Sequence, residues 1–143
     1  MSSDTERSVA LTRTASSRYR ATNVRGTTLD IGDGSSDDFT PVELLLVALA
    51  ACTAITVDPI VERRAAPDVL DIAVRADKIR DELGNRLVDI RLLFDVAFPE
   101  GEAGDRARAL LPDALRQAEE RLCSVSRTVA IGTPVEVEVR DAR

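Results

Sequence analysis

The chain contains no histidine and no tryptophan among its 143 residues. Without histidine, neither a Ser-His-Asp nor a Cys-His nucleophilic centre can be assembled. Cysteine is nearly as scarce. Cys52 and Cys123 alone fall short of the four ligands of a structural zinc site, and no metal or organic cofactor is expected. The aromatics are Tyr19, Phe39, Phe94 and Phe98, so the core must be built from Leu, Ile, Val and Ala. Association with a second copy would add burial that a short chain needs. Positive charge is short as well: the net charge is −6 and Lys78 is the only lysine. A phosphate backbone requires clustered excess cations, which excludes a nucleic-acid partner. The longest apolar-rich run, Leu44–Val57, is shorter than the ~20 residues a bilayer demands, so no membrane partner is expected. The opening MSSDTERS has no apolar signal core. A cytoplasmic location follows, where a redox or inert thiol is the default and a standing structural disulfide is not.

What the sequence does have is one marked apolar stretch, Phe39–Arg64, FTPVELLLVALAACTAITVDPIVERR. Thr40 is placed to cap a helix, Pro41 takes its first position, and Glu43 completes a capping box. Phe39 and Leu44 occupy the two staple positions. From Leu44 to Ala51 every residue is apolar, which predicts a helix buried on every face, with Cys52 in its middle. Pro59 removes the bond to the Ile55 carbonyl and predicts a kink or an end near Asp58.

A single domain over residues 1–143 is expected, with residues 1–6 unordered. Ser8–Arg13, Arg18–Thr22 and Thr27–Ile31 read as strands, with Val9 and Leu11 on one face and a turn near Asn23–Gly26. Gly32–Asp38 reads as a solvated acidic loop, its spacing unlike a calcium loop. Leu70, Ile72, Val74 and Ala76, and then Val88 to Phe98, alternate apolar and polar around a turn at Gly84-Asn85. They predict an antiparallel hairpin with one wet face. Ala107, Leu110, Leu111, Ala114, Leu115, Ala118 and Leu122 recur at helical spacing, with Pro112 as a site for a bend. Cys123 ends that helix, Ser124–Ala130 reads as a short helical turn, and Val135, Val137 and Val139 predict a last strand. The order βββ-α-ββ-α-β is an α+β pattern with a largely antiparallel sheet.

TPVELLLVALAACTAI around Cys52, with LCSVSRTV around Cys123 about seventy residues later, resembles the OsmC/Ohr family. The likeness extends over nearly the whole chain. It implies an intertwined homodimer whose two long central helices lie back to back between sheets. It also implies a thiol-dependent peroxidase that reduces organic hydroperoxides and is restored by an external dithiol. In that chemistry only a thiolate attacks a peroxide, and burial raises a thiol's pKa unless a cation reaches it. The family's peroxidases supply an arginine from the N-terminal strands. Counting back from Leu29-Asp30, Arg18 falls at the matching place, with Arg20 on the same face as its substitute. The implied cycle runs through a Cys52 sulfenic acid and a Cys52–Cys123 disulfide.

One departure marks the chain as a divergent branch. The family's P-E-x-L pattern stands here as Pro41-Val42-Glu43-Leu44. Val42 holds the carboxylate position, and Glu43 lies one residue along, about 100° around the helix. Glu43 is then either a substitute or a capping residue only. Taken without the family, Cys52 reads as a packed core cysteine, Cys123 as a helix-end cysteine, Arg18 as a solvated strand residue and Arg127 as a helix-end charge. Two further functions stay open: an apolar small-molecule binder at the dimer groove, and a stoichiometric thiol redox sensor.

Overall fold

The structure, a computed structural model, describes residues 5–143. The expectation of disorder over residues 1–6 therefore falls, for residues 1–4, outside the described residues. The chain forms two compact units, residues 1–46 and residues 47–143.

The first unit holds a three-stranded antiparallel sheet in the order β1-β2-β3: β1 Val9–Ala15, β2 Arg18–Asn23 and β3 Thr28–Ile31. The turn after β2 is built by Asn23, whose side-chain oxygen accepts from the Arg25 and Thr27 amides, both at 3.0 Å. Such an Asx arrangement is why Asn marks turns. The expected strands form, but Val9 and Leu11 remain 77% and 58% exposed. Alternation set the pleat; within the first unit, among the described residues, no layer covers that face.

The first unit also starts the central helix, α1, Pro41–Glu62. Its start is the predicted capping box: the Thr40 amide donates to Glu43 Oε1 at 2.9 Å and the Glu43 amide to Thr40 Oγ1 at 3.3 Å. The reciprocal pair satisfies two of the amides that a helix start leaves orphaned. Two expectations for α1 are corrected. Burial is confined to one stripe, Leu49, Thr53, Val57 and Val61, an i, i+4 series on one face. Val47 and Ile55 are 46% and 73% exposed, so a helix apolar all round is here buried on one side only. The helix also continues through Pro59, so the expected end near Asp58 does not occur. The carbonyl that Pro59 leaves without a donor belongs to the exposed Ile55, where water can serve it, and the fully buried Val57 and Val61 hold the last turn in place. Its 22 residues satisfy the length and composition of a bilayer span, which the shorter apolar run does not. Within the chain its buried residues are those of the one stripe.

In the second unit, β4 Val69–Asp81 and β5 Gly84–Ala97 form the expected antiparallel hairpin, longer than the alternation alone indicates. Asp81 faces Gly84 across a two-residue turn. Gly84 takes φ 101° there, a conformation open to residues without a Cβ. Arg75 faces Arg91 while Asp77 faces Val88, so one residue opposes two; Asp89 takes φ 51° in this bulge. A bulge shifts the pleat by one residue, and burial duly changes phase from Ala76 to Ile79.

Helix α2, Glu102–Gln117, runs through Pro112 and passes into a π-helical turn, Ala118–Leu122, followed by α3, Ser124–Ile131. Helix α3 ends at Gly132, φ 74°, whose amide returns to the Thr128 carbonyl. The core joins Val57, Val61, Phe98, Ala107, Ala114, Ala118 and Cys123. Full burial of an aliphatic side chain of this size stabilises by about 1.5–3 kcal/mol. Leu122, expected on the apolar face, is 51% exposed. The wider π turn delays the face by a residue and brings in Cys123 instead. The predicted last strand does not form. Residues 133–143 carry no strand, and Val135, Val137 and Val139 are 75% or more exposed. The alternation is present, but an extended segment needs a neighbouring strand to pair with, and none is beside it within the described residues.

Candidate functional site

The two cysteines meet in the second unit. Cys52 is carried by the middle of α1. Its carbonyl accepts from Thr56 Oγ1 at 2.7 Å, one turn on. Cys123 enters the same core as the residue that closes the π turn. Its amide donates to the Ala118 carbonyl five residues back at 2.8 Å. With α-helical pitch, position 122 would close this turn. The i→i+5 bond moves that place to Cys123, which is fully buried, whereas Cys52 is half-buried.

Both cysteines are free thiols, and each shifts the ionisation of the other. Burial and the neighbouring Cys123 push the Cys52 thiol above its ordinary value, although the Val125 and Ser124 amides pull it down. Burial pushes Cys123 up too. That rise is outweighed by the donors around its sulfur, among them Cys52, Ser126 and Thr53, and its net shift is downward. The two thiols are thus shifted in opposite directions, Cys52 up and Cys123 down.

The downward shift of Cys123 follows from local structure. Cys123 is the N-cap of α3, and its sulfur accepts from the Ser126 amide at 3.4 Å. Helix N-termini present unpaired amides and favour negative charge. Thr53, next to Cys52 and fully buried, places its Oγ1 3.8 Å from the Cys123 sulfur. The same Oγ1 lies 2.9 Å from Glu119 Oε1, which also accepts from Ser126 Oγ at 3.4 Å. Arg127 reaches the Glu119 backbone carbonyl at 3.5 Å.

Thr53, Glu119 and Ser126 were not anticipated from sequence. Thr53 follows Cys52 and Ser126 lies three residues after Cys123, spacing that any helical pair shares. Glu119 carries no signal, because its approach to α1 depends on the π turn.

Arg18 and Glu43 belong to the first unit. Arg18 opens β2 opposite Ala15, close enough to Asp30 and Asp33 to help draw both carboxylates below their ordinary range. The larger causes are the Arg20 hydrogen bond at Asp30 and Ser35 at Asp33. Arg20, the substitute, is engaged elsewhere. It forms a two-pronged ion pair with Asp30 across the β2–β3 pair, at 2.8 and 3.3 Å. Glu43 is held below its ordinary value by the Thr40 amide it accepts in the capping box, with Thr40's side chain adding to the effect.

Residues 32–138 match the family described as OsmC-like protein. An uncharacterized protein of Mycobacterium tuberculosis is 35% identical over 133 residues, covering 90% of this chain and 93% of that one. Among solved structures, an OsmC-like protein of unknown function from Vibrio cholerae superposes with a TM-score of 0.72 at 12% identity, covering 87% of this chain and 93% of that one. The organic hydroperoxide resistance protein OhrB of Bacillus subtilis superposes with a TM-score of 0.52 at 18% identity, covering 85% and 90%. At these identities the two structures carry the fold alone.

Proposed function

Because the chain belongs to the OsmC-like protein family, we propose that it acts as a thiol peroxidase on organic hydroperoxides, cycling through a Cys52–Cys123 disulfide. The observation that carries the reading is the pair of free thiols, contributed by residues far apart in sequence and packed in one core.

Proton placement supports a division of labour. Cys52 is the half-buried sulfur and meets the peroxide; Cys123, fully buried, does not. Cys123 ionises the more readily of the two, and its thiolate takes the Cys52 proton as Cys52 attacks. The Cys52 sulfur bonds to the distal peroxide oxygen, the O–O bond breaks, and the leaving alkoxide takes up a proton to become the alcohol. Cys123, again a thiolate, then attacks the sulfenic sulfur. The S–S bond forms, the S–O bond breaks, and hydroxide leaves. An external dithiol returns both thiols by exchange. Arg18 is assigned the guanidinium that steadies the Cys52 thiolate, since a planar fork that never deprotonates suits an anion. Glu43 is assigned as its carboxylate partner through the oxygen the cap leaves over. The exposed apolar side chains of α1, Val47 and Ile55, together with Val9 and Leu11 of β1, support a homodimer that covers them. The reaction is placed in the cytoplasm.

The test is one equivalent of cumene hydroperoxide added to the reduced protein, followed by intact and peptide mass analysis and measurement of the alcohol. A Cys52–Cys123 disulfide with stoichiometric alcohol is expected. Failure to form either overturns the reading, and a disulfide that no dithiol can reduce in cycles turns it into a sensor. A second reading, binding of an apolar molecule at the dimer groove, is favoured by Val42 at the family's carboxylate position. Retention of a co-purified ligand by Cys52→Ser would mark it. The open hollow lined by Ala54, Ile55, Asp58, Glu62, Ala66, Pro67 and Leu70 speaks against that use of this surface, because two carboxylates line it.

A further inference from the structure

The hydroxyl of Thr53 has two acceptors within reach and one proton to give. Glu119 Oε1 lies at 2.9 Å and the Cys123 sulfur at 3.8 Å. A hydroxyl donates once, and the shorter, charge-assisted bond to the carboxylate wins. Thr53 is fully buried and Ser126 nearly so, so no bulk water stands in for the lost donor. Ser126 Oγ, at 3.4 Å from the same Glu119 oxygen, is drawn the same way. The Ser126 amide, at 3.4 Å, remains a donor to the Cys123 sulfur that Glu119 does not share.

We propose that Glu119 is a positioning residue for Cys123: by holding the Thr53 proton it limits how readily the Cys123 sulfur ionises. The titratable and charged groups around the sulfur are Cys52 on α1, Glu119 on the π turn and Arg127 on α3, whose guanidinium lies on the Glu119 backbone carbonyl. Glu119 is itself solvent-exposed, so its charge is screened and its hold on the hydroxyl is the larger influence. The π turn acquires a purpose in this arrangement, since it brings Cys123 into the core and Glu119 onto Thr53 together. For the cycle proposed above, on which only this consequence rests, Glu119 slows the closure of the disulfide.

The experiment is a thiolate titration followed at 240 nm in a Cys52→Ser background, where Cys123 is the one remaining thiol and the introduced hydroxyl keeps a donor beside it. No peroxide is involved, so its result is independent of the disulfide test. Glu119→Ala is expected to lower the Cys123 midpoint by about one pH unit, because a freed hydroxyl hydrogen-bonds the charged form. Glu119→Gln, which keeps an acceptor for Thr53 and removes only the charge, is expected to shift it by less than half as much. Thr53→Val should abolish the effect of Glu119→Ala, and Thr53→Ser should restore it, as a double-mutant cycle requires of coupled groups. An unchanged or raised midpoint in Glu119→Ala overturns the proposal. So does a Glu119→Ala shift that persists in full in the Thr53→Val background. Glu119 sits on the surface, so the variant is expected to fold, and far-UV circular dichroism checks that it does.

Discussion

Replacing Gly104 by alanine sets two forces against each other, and the structure decides between them. Gly104 is in the first turn of α2, buried, with ordinary helical geometry. By propensity alone, alanine should stabilise the helix by about 1 kcal/mol. A Cβ at this position, however, would lie 1.8 Å from the Pro99 carbonyl oxygen and 2.9 Å from its carbon, where real Cβ atoms stay beyond 3.0 Å. The obstacle is backbone, with no rotamer to turn away. The start of α2 must therefore move by more than an ångström relative to Pro99, and Phe98 and Ala107, both in the core, move with it. Overpacking of this kind costs about 1–3 kcal/mol and occasionally more, and a clash this deep belongs at the upper end. The net expectation is a loss of about 2 kcal/mol, or a melting temperature lower by about 6–10 °C for a chain of this size. Thermal unfolding by far-UV circular dichroism measures it. Because α2 carries the π turn and Cys123, disulfide closure on addition of peroxide should slow as well. A Gly104→Ala protein melting at or above the parent temperature would refute the reasoning, as propensity would then have outweighed the contact.

The opposite shifts of the two thiols predict a reversal in stability near the ordinary cysteine value of 9.0. Below it, the folded Cys123 has already lost a proton that the unfolded chain keeps, so its contribution rises with pH and is lost on acidification through the folded value. Above 9.0, the folded Cys52 keeps a proton that the unfolded chain loses, so stability falls. Denaturant midpoints against pH should lose the rise in Cys123→Ser and the fall in Cys52→Ser; identical profiles for the two variants would contradict the assigned directions. Thr40→Ala should free the Glu43 amide and fray the first turn of α1, with hydrogen exchange there about fivefold faster, the usual effect of a lost cap. Arg18→Ala should reduce alcohol yield per unit time at least tenfold, while Arg20→Ala, whose guanidinium is engaged by Asp30, should leave it nearly unchanged. Equal losses in both would remove Arg18 from its assignment.

Local chemistry was legible wherever a residue's partners lie within a few positions of it. The capping box of Thr40 and Glu43, the Asn23 turn and the β4–β5 hairpin are all of this kind, and so the α+β order was readable. Misreadings arose where the missing information was three-dimensional. Helix α1 is apolar on all faces, and periodicity gives no preference among them; only the packing of Val57, Val61 and Thr53 against α2 and the π turn selects a side. Val135, Val137 and Val139 carry the pattern of a strand, but pairing requires a neighbour that a pattern does not supply.

The residues themselves determined the family and the chemistry it makes available: two thiols, no histidine, and a helix with its start written in Thr40, Pro41 and Glu43. Tertiary structure alone decided which thiol ionises the more readily. That depends on a single extra residue in one helical turn, which puts Cys123 at the mouth of α3 and Glu119 beside Thr53. An i→i+5 bond leaves no trace in composition or periodicity, because its stability comes from the core that forms around it.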